Sequence, residues 1–555
     1  MPGIKDSSLH CSPPSSKPSA EHSARAVEIS HVLESLGDTV MPMWLARHTQ
    51  LAEFSQVMLI SVSDGYERAQ VTSVLLDLSS LQEGNWAALL PTLKQAWSRL
   101  ERKFSHPLVW CRLEWPFAVR EWQWQTLKQE MKSYKRSYFR SGLAFIGKRS
   151  PHLLLSEMEL NANACLYAGG HVEHAEVNQH HLECYIKARH GSSQMPDFAD
   201  NMPVWSFSTT GIFVDVSAET ASVHALDTRP RRWGRREVPP LTVASTGELI
   251  ARSTRFLGKQ VGQDGRYIYG YFPCFDRLIN TYNVLRHASS TYALLEGYEA
   301  CADQLLLSDE QLELVRQQIS WALSGLCSEF VVHRQGAAYV VDMGDIIKLG
   351  ANAVAILALL KYHQVMGDDR FADLVDALAL GILRMQEVDG SFVHVLNAAD
   401  LSVKEKTRII YYDGEAAFAL MRLYDHTRNS LWLDCVVKAF DYFIANGHEK
   451  AHDHWLAYCS NELVMHCPER QYFAFAVRNI AGYVDFIRDR VTTFPTLLEL
   501  SMAFHKTLLK LETRPDLADV LNGFDVNAFY QALHTRANYL LNGFFWPEVA
   551  TFFCF

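Results

Sequence analysis

Acidic, aromatic and basic residues gather at the starts of helical runs in the second half of this 555-residue chain. The stretch YYDGEAAF sets Tyr411, Tyr412, Asp413 and Glu415 at one such start. A carboxyl group held in an apolar pocket keeps its proton to higher pH and can serve as a general acid. The same positions also suit Asp413 as a helix cap and Glu415 as a first-turn charge that favours the helix dipole. Upstream, Tyr282 precedes Asn283, Arg286, His287 and Ser290, spaced by threes and fours and hence on nearby helix faces. Arg286 sits among apolar neighbours, so its guanidinium needs a carboxylate or a bound anion. Either it grips sugar carboxylates or hydroxyls, or it pins an acid on another helix. Glu462 lies deeper, inside HWLAYCSNEL beside His454 and Asn461, where capping does not explain it. Trp455 and the two tyrosines can stack on sugar rings, and equally can pack in a core. Asp389 in DGS is a candidate substrate contact whose simplest role is a turn. Asp345 and Asp453, each just ahead of a helical run, read as caps.

Held together, such residues suit general acid/base work. Metals and cofactors are not expected. His171, His174, His180, His181 and His190 lie near Glu173, Glu176 and Cys184, but their spacing matches no zinc signature and reads as a histidine-rich surface helix. No P-loop, GxGxxG or GxSxG element is present. The basic run Lys128, Lys132, Lys135, Arg136 and Arg140 reads as a solvated helix face. With a net charge of −10, nucleic acid is not an expected partner.

The elements that must carry these groups change character along the chain. Residues 1–25, rich in Ser and Pro, read as a disordered tail. Residues 26–238 mix strand-like runs (QVMLISVSD, HPLVWCRLEW, WSFSTTGIFVDVS) with helical patterns, which predicts an α+β domain of unknown role. The arginine- and proline-rich TRPRRWGRREVPP marks a boundary. From there to the end, helices are predicted near 244–262, 281–299, 310–331, 348–366, 370–386, 411–427, 430–446, 453–467, 469–488, 494–512 and 524–541, with hardly a strand between them. Short joins alternate with long loops at 263–280, 332–347 and 387–410. Paired helices of this kind stack on their neighbours, and the number fits six hairpins closed into an (α/α)6 toroid over residues 239–555. All the long loops then share one rim, and the candidate residues share it with them. The apolar C-terminus NGFFWPEVATFFCF either closes that ring or docks elsewhere. The eleven cysteines are scattered without a CxxC, as expected of reduced thiols in a cytoplasmic protein. No apolar run approaches the roughly 20 residues of a membrane span.

The segments GDDRFADLVDALALGILRMQEVDGSF and YYDGEAAFALMRLYDHTRNSLWLDCVVKAFDYF look like an outer helix, DG loop and inner helix in succession. In this phrasing the chain from about residue 240 onward resembles the six-hairpin glycosidase-like superfamily. That group holds sugar 2-epimerases, uronate C5-epimerases and unsaturated glycuronyl hydrolases. The resemblance implies a central cavity lined by inner helices and suited to sugars. In such a cavity a hydrolase needs two carboxyl groups roughly 5–9.5 Å apart, for which Glu415 pairs with Glu462 or Asp413. An epimerase needs an acid and a base on opposite faces of the sugar ring, for which His287, Tyr282 and Tyr412 would serve instead. It carries no catalytic residue across, because the full motif of no single member family is present. The resulting expectation is an enzyme acting on a sugar or oligosaccharide, uronic acids included, by general acid/base chemistry. The alternative is a non-catalytic helical scaffold that binds a protein or glycan. A terpene- or prenyl-transfer toroid is disfavoured by the lack of an aspartate-rich cluster.

Overall fold

The computed structural model describes residues 29–49, 51–136, 138–145, 153–169, 172–229, 232, 234–544 and 546–554. The expected tail at 1–25 lies outside them, as do His171 and part of the arginine-rich boundary. The chain forms two compact units. One comprises residues up to Val238 together with Pro273–Phe275 and Phe545–Phe555; the other comprises Pro239–Phe272 and Asp276–Phe544.

The first unit is built on an antiparallel sheet of β1 (Val57–Ser63), β2 (Gln70–Leu75), β3 (Trp110–Gln123), β4 (Gly142–Phe145), β5 (Leu153–Leu155), β6 (Pro203–Asp215) and β7 (Ser222–Ala225). Its order is β2-β1-β3-β6-β4-β5, with β7 also paired to β6. The three strand-like runs of the sequence are β1, β3 and β6. β1 is buried throughout because both sheet faces are covered. Met58, Ile60 and Val62 enter one apolar cluster, while Val57 and Leu59 enter another on the opposite face. Gly211 of β6 is required by close approach, since a Cβ there would fall 1.9 Å from the Leu113 carbonyl oxygen.

The last residues of the chain belong to this unit, not to the helical one expected to use them for closure. The reason is a buried ion pair. The Glu548 carboxylate is fully buried and accepts from Arg236, from the main-chain N–H at 2.5 Å and from the guanidinium at 2.9 Å. The Ala69 N–H donates to the Thr551 carbonyl at 2.7 Å, and Phe552 packs with Val71, Met158 and Ala162.

The second unit begins with α1 (Val243–Lys259), α2 (Val284–Asp303), α3 (Asp309–Phe330), α4 (Leu349–Met366), α5 (Ala372–Arg384) and α6 (Tyr411–Thr427). It continues with α7 (Ser430–Ala445), α8 (His454–His466), α9 (Arg470–Arg478), α10 (Val484–Asp489), α11 (Thr496–Glu512) and α12 (Val526–Leu540). Helices α2, α4, α6, α8 and α11 pack side by side in that order, and α3, α5 and α7 each lie against the helix before them or its loop. The sequence LGANAVAILALL is apolar on every side, so α4 is buried from Leu349 to Leu359. Among the described residues no helix is long and apolar enough to cross a membrane.

Two expectations need correction. The loops at 332–347 and 387–410 are not structureless. They form an antiparallel sheet of β8 (Val331–Arg334), β9 (Ala337–Asp342), β10 (Ile346–Lys348), β11 (Val395–Asn397) and β12 (Val403–Glu405). The β8–β9 hairpin turns through Gln335 and Gly336, both at positive φ, which is the two-residue turn that matches strand twist. The single helix expected at 469–488 is broken into α9 and α10 ahead of Gly482, whose φ is +74°.

Candidate functional site

The starts of α2, α6, α8 and α11 hold most of the candidate residues. The site is built outward from Glu415. Its side chain lies over Gly350 of α4, where a Cβ would stand 1.9 Å from Oε2, 2.7 Å from Tyr412 Cδ1 and 2.9 Å from Leu285 Cδ1. A glycine in α4 is thus what gives the carboxyl group room. Glu415 is 4% exposed, and among the described residues its Oε2 has no hydrogen-bond partner. Burial is the main cause that pushes this carboxyl well above the usual range; the neighbouring Asp453 charge adds to it and Arg286 opposes it. Its surroundings therefore favour the protonated form.

Beside it, Asp453 caps α8, accepting from the Trp455 N–H at 3.0 Å and the Leu456 N–H at 3.2 Å. Its backbone is pinned by Asn479, which accepts from the Asp453 N–H at 3.1 Å and donates to its carbonyl at 2.8 Å. A Cβ at Gly414 would come within 2.4 Å of Asp453 Oδ2, so the α6 start meets the α8 start closely. His454 stands between two carboxylates: Nδ1 is 3.3 Å from Asp453 Oδ1 and Nε2 is 3.6 Å from Glu499 Oε2 of α11. Burial raises both acids, and the His454 imidazole draws each back down. Tyr411 sets its ring edge-on to His454 at 5.3 Å, and Trp455 lies 5.2 Å from the same imidazole.

Arg286 is exposed at the start of α2, and its guanidinium has no hydrogen bond or ion pair among the described residues. Further along, Ala293 and Glu296 continue its exposed stripe, while Trp455, Tyr458 and Glu462 are half-buried along α8. Tyr292 and Glu296 of α2 lie within electrostatic reach of Arg422 (α6), Tyr458 and Glu462 (α8) and Glu499 (α11). Glu462 meets Arg422 Nε at 2.6 Å, without the alignment of a hydrogen bond. Burial dominates there and raises the Glu462 carboxyl from its ordinary 4.5 to about 7.

Other candidates are occupied elsewhere. His287 is tied on both sides: Tyr282 Oη donates to Nδ1 at 2.8 Å, and Nε2 donates to the Ala322 carbonyl of α3 at 2.8 Å. Tyr282 also stacks on Phe330 and accepts from the Tyr267 N–H. These two form a packing contact toward α3, apart from Glu415. Asn283 caps α2 through the Arg286 N–H at 3.0 Å. Asp413 does not cap α6. It faces His394 Nε2 at 3.3 Å, and that ring accepts from the Arg408 N–H at 2.9 Å, which fastens the loop ahead of α6. Tyr412 is buried against His394 and Gly350. Asp389 is a turn residue, accepting from Ser391 Oγ at 2.7 Å and its N–H at 3.0 Å. His394, His454, Arg422 and Glu499 are the members that were not selected from the sequence as site residues. No cluster suited to a metal ion occurs among the described residues.

No family model matches the chain, and no curated protein matches it. Solved structures do. The cellobiose 2-epimerase from Bacillus thermoamylovorans B4167 is 12% identical, over 54% of this chain and 87% of that one, with a TM-score of 0.39. A D-mannose isomerase is 13% identical, over 55% and 88%, with a TM-score of 0.39. The GH76 alpha-mannanase BT2949 from Bacteroides thetaiotaomicron is 8% identical, over 52% and 82%, with a TM-score of 0.36. At such identities and scores no activity or substrate transfers to this chain.

Proposed function

We propose that the second unit is a carbohydrate-active enzyme that works by general acid/base chemistry at the rim where α2, α6, α8 and α11 begin. The observation that carries this reading is Glu415: a buried carboxyl group with an oxygen unpartnered among the described residues, within electrostatic reach of Asp453, which with Glu499 flanks the His454 imidazole. Structural acids normally satisfy both oxygens, so an orphaned one at a helix-start rim fits a group waiting for a ligand. Glu415 donates a proton to a sugar oxygen. His454, oriented by Asp453 and Glu499, accepts one from a sugar carbon or from water. Tyr411 and Trp455 supply ring faces for stacking, and Arg286 supplies an open cationic fork for hydroxyls or a carboxylate.

The same proposal closes the helices into an (α/α)6 toroid around this site. In its support, Arg252 of α1 lies over the ring of Phe544, just past α12, at 5.0 Å. The mutual reach of groups on α2, α6, α8 and α11 also fits side chains facing one lumen. A cytoplasmic setting and a sugar or oligosaccharide partner belong to this reading. A second reading, a non-catalytic scaffold, is favoured by the self-filling of the deeper layer, where Phe418 stacks on Tyr458 at 5.4 Å and Arg422 meets Glu462.

Calorimetry with neutral, amino and uronic oligosaccharides separates the two. Binding by the wild type that is selective for uronates and lost in Arg286→Ala supports a sugar-acid site at the rim. A folded wild type that binds nothing in the panel leaves the scaffold.

A further inference from the structure

In the first unit, three cysteines from distant parts of the sequence meet. Cys165 follows the helix Glu157–Ala162, Cys274 lies in the Pro273–Phe275 segment, and Cys554 lies in the C-terminal segment. The Cys554 N–H donates to the Pro273 carbonyl at 3.0 Å, which sets Cys554 beside the residue preceding Cys274. The Cys274 thiol donates to the Asn161 carbonyl at 3.4 Å. Arg68 braces the surroundings: Nε donates to the Phe552 carbonyl at 2.9 Å, and one terminal nitrogen donates to the Ala162 carbonyl at 2.8 Å and to Asn163 Oδ1 at 3.2 Å. Cys165 is fully buried, whereas Cys274 and Cys554 are only half-buried.

We infer that Cys274 and Cys554 are an oxidation site that closes to a disulfide when the protein meets a peroxide. A hydrogen bond from the Cys554 N–H to the residue before Cys274 holds the two cysteines next to each other, and Cys554 is among the groups within electrostatic reach of the Cys274 thiol; a disulfide needs Cα atoms about 4.4–6.8 Å apart. Burial pushes the Cys274 thiol up, and the Arg68 guanidinium and the Ala164 N–H draw it back, so the attacking thiolate has a local cation to stabilise it. Cys165 has the same Arg68 beside it, but burial dominates there and carries its thiol up to about 12, which leaves it the poorer nucleophile.

The chemistry balances with hydrogen peroxide as the oxidant. The Cys274 thiolate attacks one peroxide oxygen, the O–O bond breaks, and the departing hydroxide takes a proton to leave as water. The Cys554 thiol then attacks the sulfenyl sulfur; an S–S bond forms, and the sulfenyl hydroxyl leaves as water with the thiol's proton. Two thiols lose two electrons in all, one peroxide gains them, and two waters form. The bond would tie the C-terminal segment to the loop that continues along the chain to Tyr282 and Arg286.

Peptide mapping of the full chain tests this. The protein is treated with hydrogen peroxide near equivalence, quenched with N-ethylmaleimide and digested without reduction. The expected product is an intrachain linked pair carrying Cys274 and Cys554. Cys554→Ser should instead leave a dimedone-reactive sulfenic acid on Cys274. Arg68→Ala should slow alkylation of Cys274 several-fold, with Arg68→Lys restoring part of the rate. Recovery of both cysteines as alkylated thiols, or linkage of Cys274 to Cys165 or to another chain, overturns the inference.

Discussion

Two histidines near the starts of α2 and α8 divide the candidate site. His287, in the first turn of α2, receives a hydroxyl proton on one nitrogen and gives its own to a carbonyl on the other. Burial lowers its tendency to protonate, and both its partners are neutral. His454, at the start of α8, faces a carboxylate from each nitrogen and lies beside a tyrosine and a tryptophan. Both are first-turn histidines, yet the first ring is tied into packing, whereas the second is the one to which the proposed function gives proton transfer. Partner chemistry decides the difference, and it comes from other helices: Ala322 of α3 in one case, Glu499 of α11 in the other.

The comparison is broken most decisively at Glu415. Glu415→Gln is expected to lower turnover of any accepted sugar by about 10³-fold while keeping the fold, a loss in the upper part of the range for one acid/base group. Steady-state rates and thermal melts on the same preparation check both halves. Next comes the histidine pair. His454→Gln is expected to cost about 10²-fold in turnover. His287→Gln should leave the rate within a few-fold, but cost about 1–3 kcal/mol in denaturant unfolding through its broken hydrogen bonds. Equal rate losses for the two would erase the distinction drawn here.

Gly350→Ala gives a geometric version of the same test. The new methyl must displace Glu415 Oε2, from which it would stand 1.9 Å. Turnover should fall about 10-fold or more, read as a lowered kcat rather than a raised KM. Smallest in rate but clear in sign is the pH dependence of stability. Glu462 has its folded carboxyl raised from 4.5 to about 7, so its stabilising preference for the protonated form is complete below about pH 4.5 and is lost as the pH rises through 7. Glu462→Gln should therefore change stability little at pH 4 and raise it by about 1–3 kcal/mol at pH 8, as urea titrations at the two pH values would show.

Much of the helical architecture was legible because its pattern is local. α6 begins and ends where periodicity places it, at Tyr411–Thr427, and α8 differs from its expected bounds by a residue at each end. Glu415 was legible as a chemical group for a related reason: it follows a glycine and precedes a run of small apolar residues. Its partners were not. Glu499 sits in TTFPTLLELSMAF as one exposed-looking acid, and only the packing of α11 against α8 brings it to His454. Asp413 reads as a cap from sequence because its competitor, His394, lies just ahead of β11, and no local pattern reveals the register that pairs Leu396 of that strand with Ile347 and Val403. The sheet of β8–β12 was hidden in the same way, although the Gln-Gly turn at 335–336 was a usable signal. The C-terminal segment reads as an apolar ring closure, but Glu548 meets its partner Arg236 far upstream in the first unit.

The account stands most directly on proton transfer by Glu415 and His454. The deciding measurement is product analysis by mass spectrometry after incubating a panel of neutral and uronic sugars with the full chain in deuterium oxide, beside Glu415→Gln and His454→Gln. The account predicts a converted sugar with the wild type alone, carrying one carbon-bound deuterium if the reaction is an epimerisation or isomerisation and none if it is hydrolysis. Conversion that persists at the wild-type rate in both folded variants would contradict it.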